Sequence, residues 1–162
     1  MKTVIHIFTI MFFLLGTSCS KNHDLRADLL AAIDERDLSA VKRLAESGCD
    51  ISSPDKWGNH FTPLMWAILY DEKDIATYLI AKGCDVNQQD IDGETALQYA
   101  LYGGDANIDL VKQLIKHGAD VNHRDKKGII ILSDAKVILS DGKPLLPESK
   151  IISILIENGA HD

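Results

Sequence analysis

This sequence of 162 residues is poor in long apolar runs, in clustered basic residues and in cysteine. The first two shortages each argue against a class of function. The apolar run Val4–Leu15 has about a dozen residues, whereas a membrane-spanning helix needs about 20. The formal net charge is −7, and no stripe of lysine and arginine offsets it. We therefore expect no nucleic-acid partner, because phosphate backbones repel an acidic domain. Cysteine is limited to Cys19, Cys49 and Cys84.

The sequence also lacks the residue patterns that catalysis and metal binding use. The six histidines never stand at a ligand spacing such as i, i+4. The sequence contains no calcium-loop pattern, no phosphate-loop motif and no catalytic-nucleophile signature. We interpret His117 as a cation at a helix end, and Asp90, Asp92, Asp120 and Asp125 as turn residues. The sequence predicts no enzyme activity, no metal, no cofactor and no small-molecule substrate.

The first eighteen residues resemble an export signal. Lys2 precedes the apolar run, and small residues at 16–18 separate that run from Cys19. This pattern resembles the lipobox of bacterial lipoproteins, in which the cysteine becomes the lipidated first residue. It departs from the lipobox in one place, because Leu15 lies four residues before the cysteine and not three. Ordinary cleavage after Ser18 is the alternative.

The signal divides the chain into three parts. We predict a signal peptide over 1–18, a lipidated Cys19 with a short tether over 19–23, and a folded domain over 24–162. The protein is expected to be exported and lipid-anchored in a bacterial membrane. Ser20 favours the outer membrane, facing the periplasm. A protein that is cleaved but not lipidated would be periplasmic.

The folded part repeats with a period of 35 residues. Two glycine series, ten residues apart, carry this period: Gly48, Gly83 and Gly118, and Gly58, Gly93 and Gly128. Another glycine of the first series, Gly159, follows Gly118 after 41 residues. Two registered series at one spacing indicate a repeat protein.

Two helices are predicted in each unit. Leucine stands four residues before each glycine of the first series, and Val, Ala or Ile stands seven before, so these residues form one apolar stripe. The glycine ends that helix. An earlier helix begins at Thr62-Pro63 in the second unit and at Thr95 in the third, where threonine can cap it. Tight turns over 55–58 and 90–93 connect the units.

A turn, a Thr-Pro-Leu-x-x-Ala helix, a Val-x-x-Leu helix and Gly-Ala-Asp-Val-Asn together resemble the ankyrin repeat over about residues 24 to 162. The resemblance implies an all-α ankyrin-repeat solenoid of about four repeats, including degenerate caps. The first copy lacks the threonine-proline start. The fourth departs further, because residues 129–132 replace that start and an insertion, Leu139–Glu148, separates its helices.

The same resemblance implies a non-enzymatic, protein-binding function. We expect the partner to be a membrane-proximal protein, bound through the concave face and the turn tips. One alternative is an immunity or inhibitor protein that occupies a toxin or an enzyme. Another is an enzyme, or an accessory domain that supports one. Fold alone does not decide between these functions.

By resemblance, the candidate binding residues fall on turn tips and at the exposed end of the first helix. They are Trp57, Phe61, Tyr70 and Tyr102, with a polar rim of Lys56, Asn59, His60, Lys126 and Lys127. Phe61 is expected to be exposed, because the second repeat has two more residues between its turn glycine and its threonine than the third. Packing between repeats, or exposure without a binding role, is the alternative for the aromatic group. Trp66 and Tyr99 are predicted to be core residues.

Cys49 and Cys84 are predicted to stay unpaired. They occupy the same position in adjacent repeats, which stack at a helix-packing distance of about 8–10 Å. A disulfide needs Cα atoms about 4.4–6.8 Å apart. We expect each cysteine to be a small buried apolar side chain.

Overall fold

The computed structural model describes residues 25–56, 58–140 and 150–161. The predicted signal peptide, Cys19, the tether, Trp57 and most of the Leu139–Glu148 insertion lie outside the described residues. Within the described ranges there are eight α-helices: α1 Leu25–Asp34, α2 Leu38–Glu46, α3 Pro63–Leu69, α4 Lys73–Ala81, α5 Ala96–Leu101, α6 Ile108–Lys116, α7 Ile131–Ser140 and α8 Lys150–Glu157. None of these helices is both long and apolar enough to cross a membrane.

The helices stack as four pairs in two layers. Each odd-numbered helix packs on the even-numbered helix that follows it, and each layer is continuous because α1, α3, α5 and α7 contact in turn, as do α2, α4, α6 and α8. We call the first set the inner layer and the second set the outer layer. This arrangement confirms the predicted all-α repeat solenoid.

The repeated residues form the helix ends and the core, as predicted. Thr62 begins α3 by accepting a hydrogen bond from the Met65 N–H at 3.2 Å, and Pro63 occupies the first turn. Thr95 caps α5 in a similar capping box with Gln98. The leucine stripe of the outer layer is largely buried against the inner layer. Gly83 follows α4 with a φ of 81°, a left-handed conformation that a residue with a Cβ rarely adopts.

The fourth repeat has a first helix although its sequence lacks the threonine-proline start. Ile131, Leu132 and Ala135 of α7 are buried, and α7 packs on α5 of the third repeat. Burial of these apolar side chains therefore replaces the local capping signal.

Side-chain amides also join neighbouring repeats. Asn87 Nδ2 donates to the Gly118 carbonyl at 2.8 Å, and Asn87 Oδ1 accepts from the Asp120 N–H at 2.9 Å. Asn122 makes the same two contacts with Gly159 and His161 in the next repeat. These bonds satisfy backbone groups of the adjacent loop and fix the stacking register.

Both cysteines of the described part are buried thiols and form no disulfide with each other, as expected from the repeat. Cys84 and Ala119 occupy equivalent positions and are buried to a similar degree. Burial, assisted by the nearby charge of Asp85, raises the pKa of the Cys84 thiol to about 12. The thiol is therefore protonated at neutral pH and behaves as an apolar side chain.

Candidate partner-binding surface

Three buried aspartates, 35 residues apart, organise the turn tips: Asp55, Asp90 and Asp125. Asp90 Oδ1 accepts hydrogen bonds from the backbone N–H groups of Asp92 and Glu94, both at 2.8 Å. Asp125 makes an equivalent pair of bonds in the next turn. These contacts confirm the interpretation of Asp90 and Asp125 as turn residues. Among the described residues, no group of three or more His, Cys, Asp or Glu side chains could hold a metal ion.

Backbone hydrogen bonds connect one turn tip to the next. The Ile91 N–H donates to the Asn59 carbonyl at 2.9 Å, and the Lys126 N–H donates to the Asp92 carbonyl at 3.0 Å. Lys126 Nζ also donates to the Ile91 carbonyl at 2.6 Å. The predicted polar rim lies along this row and is exposed at every position: Lys56, Asn59, His60, Lys126 and Lys127. The rim residues therefore stand on a scaffold that is hydrogen-bonded from turn to turn.

Five aromatic rings form a continuous strip across the second and third repeats. In spatial order the aromatic strip consists of Tyr70, Trp66, Phe61, Tyr99 and Tyr102. Adjacent ring centroids lie 5.3, 5.2, 5.5 and 6.0 Å apart, within the range of favourable aromatic pairs. The structure thus brings three predicted binding residues together and adds the two rings that were predicted to be core.

Phe61 does not project from the turn tip as predicted. Its ring is half-buried and packs edge-on against Trp66 of its own repeat and Tyr99 of the next. His60 has a left-handed backbone with a φ of 58°, which turns the chain sharply just before Phe61. The two extra residues therefore fold the ring back onto the stack, where it connects two repeats.

Trp66 and Tyr99 are half-buried rings held by the turn aspartates. Trp66 Nε1 donates to Asp55 Oδ2 at 2.9 Å, and the Tyr99 hydroxyl donates to Asp90 Oδ2 at 2.5 Å. Burial and this hydrogen bond raise the pKa of Tyr99, so its hydroxyl remains a donor at neutral pH. Each ring packs on the core with one side and faces the strip with the other.

The two ends of the aromatic strip are exposed, as predicted. Tyr70 is 38% exposed and Tyr102 is 53% exposed. Leu69, next to Tyr70 at the end of α3, is 43% exposed and was not among the predicted binding residues. Its position at the end of the inner helix, beside Tyr70, could have indicated that it is exposed. Because exposed apolar patches often mark interaction sites, these partly exposed aromatic and leucine side chains make this end of the inner layer a candidate partner-binding surface.

A groove of about 350 Å³ lies beside these exposed side chains, between the end of α3 and the segment 103–107, which we call the third-repeat loop. Leu69, Tyr99 and Tyr102 supply apolar walls, and Asp71 supplies a carboxylate. No groove was predicted here from the sequence.

A two-layer stack of helix pairs with a row of connected turn tips defines a helical repeat protein. Residues 29–125 match the family model of ankyrin repeats in three copies. The chain belongs to the ankyrin-repeat family. Ankyrin repeats are generally interaction modules without catalytic activity, and they indicate a protein-binding module.

The chain is similar to parts of much larger proteins. Alpha-latrotoxin-Lg1a of Latrodectus geometricus is 34% identical over 125 residues, which cover 72% of this chain and 9% of that protein. Ankyrin repeat and SAM domain-containing protein 6 of Rattus norvegicus is 31% identical over 131 residues, covering 80% and 14%. Palmitoyltransferase ZDHHC17 of Homo sapiens is 33% identical over 102 residues, covering 62% and 16%. The similarity therefore extends over a small fraction of each relative.

Proposed function

We propose that this chain is an exported, lipid-anchored and non-enzymatic module that binds a membrane-proximal protein through the inner layer and the turn tips. The observation that carries the binding function is the aromatic strip, which ends in exposed rings on both sides. Tyrosine and tryptophan dominate binding energy at protein interfaces because they bury a large area at a small entropic cost.

The geometry of the strip supports a binding role for its ends and a supporting role for its centre. Phe61, Trp66 and Tyr99 are held by ring packing and by buried aspartates. Tyr70 and Tyr102 extend this fixed array into solvent. A partner that docks on them meets side chains whose neighbours are already ordered, which lowers the entropic cost of binding.

The shifted pKa values support a non-enzymatic role. In the described part of the chain, the two groups with strongly raised pKa are Cys84 and Tyr99. The first is a buried core thiol, and the second is a donor to a turn aspartate. Both shifts have structural causes, whereas a catalytic pair would place shifted groups together in one cleft.

Export and lipid attachment rest on the sequence pattern before Cys19. An apolar run followed by small residues and cysteine is typical of lipoprotein signals. From Cys19 to Asp24 the chain can span roughly 17 Å, at 3.3–3.6 Å per residue. A stack tethered this closely would meet partners near the membrane surface.

Fractionation of cells tests the anchor. Cys19→Ala should move the protein from the membrane fraction to the soluble fraction, while Cys84→Ala, the control for loss of a thiol, should leave it in the membrane. A Cys19→Ala protein that remains in the membrane fraction would show that the anchor is not this cysteine.

Partner capture tests the binding face. Partners are captured from detergent-solubilised membranes with the wild-type chain, with Tyr70→Ala/Tyr102→Ala, and with Lys116→Ala as an outer-layer control. We expect the double variant to lose about 2 kcal/mol of binding free energy or more, and its melting temperature and that of the control to stay near wild type. Full binding by a well-folded double variant would exclude this face.

A further inference from the structure

Three contacts hold the third-repeat loop in place, and these contacts define one wall of the groove beside it. Asn107 is buried and donates through Nδ2 to the Ala100 carbonyl at 3.0 Å. The Asn107 amide fills the space that a Cβ at Gly103 would need. Lys73 Nζ reaches across from the second repeat and donates to the Ala106 carbonyl at 2.9 Å. The extra residues of the third repeat therefore form a wall that side chains of both repeats hold in place.

Apolar and aromatic side chains line the groove between the two repeats. Ile68 and Leu69 come from the end of α3, and Tyr99 and Tyr102 come from α5 and its cap. Tyr102 presents more than half of its surface to solvent. A groove of this size accommodates one long side chain, and the exposed ring offers a face for it to stack on.

The charge around the groove is negative. Asp71 lines the groove, and two more exposed carboxylates follow lining residues within two positions in the sequence. A fourth exposed carboxylate stands at the end of α1. We call these four residues the carboxylate edge: Asp34, Asp71, Asp74 and Asp109. Burial raises the pKa of Tyr70, and the charge of Asp34 raises it further, so the Asp34 carboxylate acts on one end of the aromatic strip. Lys73 is the one cation among the lining residues, and it already binds the Ala106 carbonyl and, at 3.5 Å, Asp71.

We propose that the groove binds an arginine side chain carried on an apolar segment of a partner protein, with the guanidinium group over the Tyr102 ring and beside Asp71. This inference rests on the proposed function and names the chemistry of the partner. A guanidinium stacks on an aromatic face and pairs with a carboxylate in the same pose. The apolar side chains next to this arginine in the partner segment would cover Leu69.

Other partner chemistries fit the surface less well. An acidic segment would face the carboxylate edge and be repelled. A purely apolar segment would remove water from Asp71 and leave it only the 3.5 Å ion pair with Lys73, which costs free energy. The lysines of the turn row, Lys56, Lys126 and Lys127, lie at the other end of the inner layer. Arg36 lies at the same end as Asp34 but is paired with Glu72 at 3.0 Å, so the balance near the groove remains negative.

Two capped tripeptides provide the probe: leucine–arginine–leucine, and the same peptide with neutral citrulline in place of arginine. Amide chemical shifts of the full chain are followed by NMR in a mild detergent. We expect shifts at Leu69, Tyr102 and Gly103, and an affinity for the arginine peptide about fivefold higher than for the citrulline peptide.

Charge and ring variants then test the assignment. Asp71→Asn should reduce the preference for arginine to less than twofold, and asparagine tolerates the left-handed backbone at this position, where φ is 59°. Glu46→Gln, an equal change of charge on α2, should leave the preference unchanged. Tyr102→Phe should retain it, and Tyr102→Leu should lose it.

Equal affinity for both peptides, no shift at these amides with either peptide, or equal losses in Asp71→Asn and Glu46→Gln would overturn the proposal. These results are independent of the capture experiment. If Tyr70→Ala/Tyr102→Ala still abolishes partner capture while arginine is not preferred, the binding face stands and the groove chemistry is wrong. If capture also persists, the face itself is wrong.

Discussion

The second and third repeats share one framework and differ in where each carries extra residues. Both have a threonine-capped inner helix, a buried turn aspartate and an aromatic ring bound to that aspartate. The second repeat is longer at the turn tip, where it holds His60 and Phe61. The third is longer between its helices, because α5 ends at Leu101 and α6 begins at Ile108, whereas α3 and α4 are separated by three residues.

The residues that the two repeats share stabilise the stack, whereas the extra residues give each repeat a different surface. The shared residues satisfy helix ends and turns in the same way in both repeats. The extra residues lie at different places along the aromatic strip: Phe61 joins the two repeats at its centre, and the third-repeat loop forms the groove beside Tyr102 at one end. Substitutions at equivalent positions of the two repeats can therefore test each role separately.

The largest expected effect comes from breaking the shared framework at Asp90. Asp90→Ala removes the acceptor for two backbone N–H groups and for the Tyr99 hydroxyl, all partly or fully buried. We expect a loss of about 3 kcal/mol in the free energy of unfolding, measured by urea denaturation. Asp92→Ala, an exposed position in the same turn, should cost less than about 0.5 kcal/mol. Equal effects of the two variants would contradict the role given to Asp90.

The next effect distinguishes the centre of the aromatic strip from its end. Phe61→Ala removes the ring that packs on Trp66 and Tyr99 and should cost about 2 kcal/mol of stability. Tyr102→Ala should cost less than about 1 kcal/mol, because its ring is largely in solvent. Thermal or chemical denaturation of both variants measures the difference. If Phe61→Ala is as stable as Tyr102→Ala, Phe61 is a surface residue as the sequence suggested.

The framework was predictable because its signals are local. Thr62 and Thr95 cap helices within three residues of themselves, and the turn aspartates bind N–H groups two and four residues ahead. The stripe that separates the two layers recurs within each helix. A period of 35 residues then places equivalent positions side by side.

The surface was less predictable because its geometry depends on contacts between repeats. The position of Phe61 is set by Tyr99 in the next repeat. The third-repeat loop is held by Lys73, 33 residues before the carbonyl that it binds. Neither contact leaves a pattern in the local sequence. The exposure of Tyr70 and Tyr102 was predicted correctly because both stand at the end of an inner helix.

A smaller effect is expected where the two frameworks differ by one buried side chain. Gln98 is fully buried at the position that Met65 occupies in the second repeat, and its Nε2 has no hydrogen-bond partner among the described residues. Gln98→Met should therefore increase the free energy of unfolding by about 1 kcal/mol, and Met65→Gln should decrease it by at least as much. A destabilised Gln98→Met would show that the amide has a partner.

The smallest effect at neutral pH is expected for Cys84→Ala, which gives this position the residue found at Ala119. Because folding raises the pKa of the thiol from 9.0 to about 12, the folded state holds the proton more tightly than the unfolded state. The resulting stability is fully present below pH 9 and is lost as the pH rises through about 12. The wild type should therefore lose more stability than Cys84→Ala over this range in pH-dependent denaturation. Parallel losses would mean that the thiol is already exposed.

Site-specific photo-crosslinking in intact membranes can show whether the partner docks on the exposed ends of the aromatic strip. A photoreactive phenylalanine analogue replaces Tyr102 in one variant and Lys116, on the outer layer, in another. We expect one covalent protein adduct from position 102 and none from position 116, detected by gel shift and mass spectrometry. An adduct from position 116 with none from position 102 would contradict this expectation.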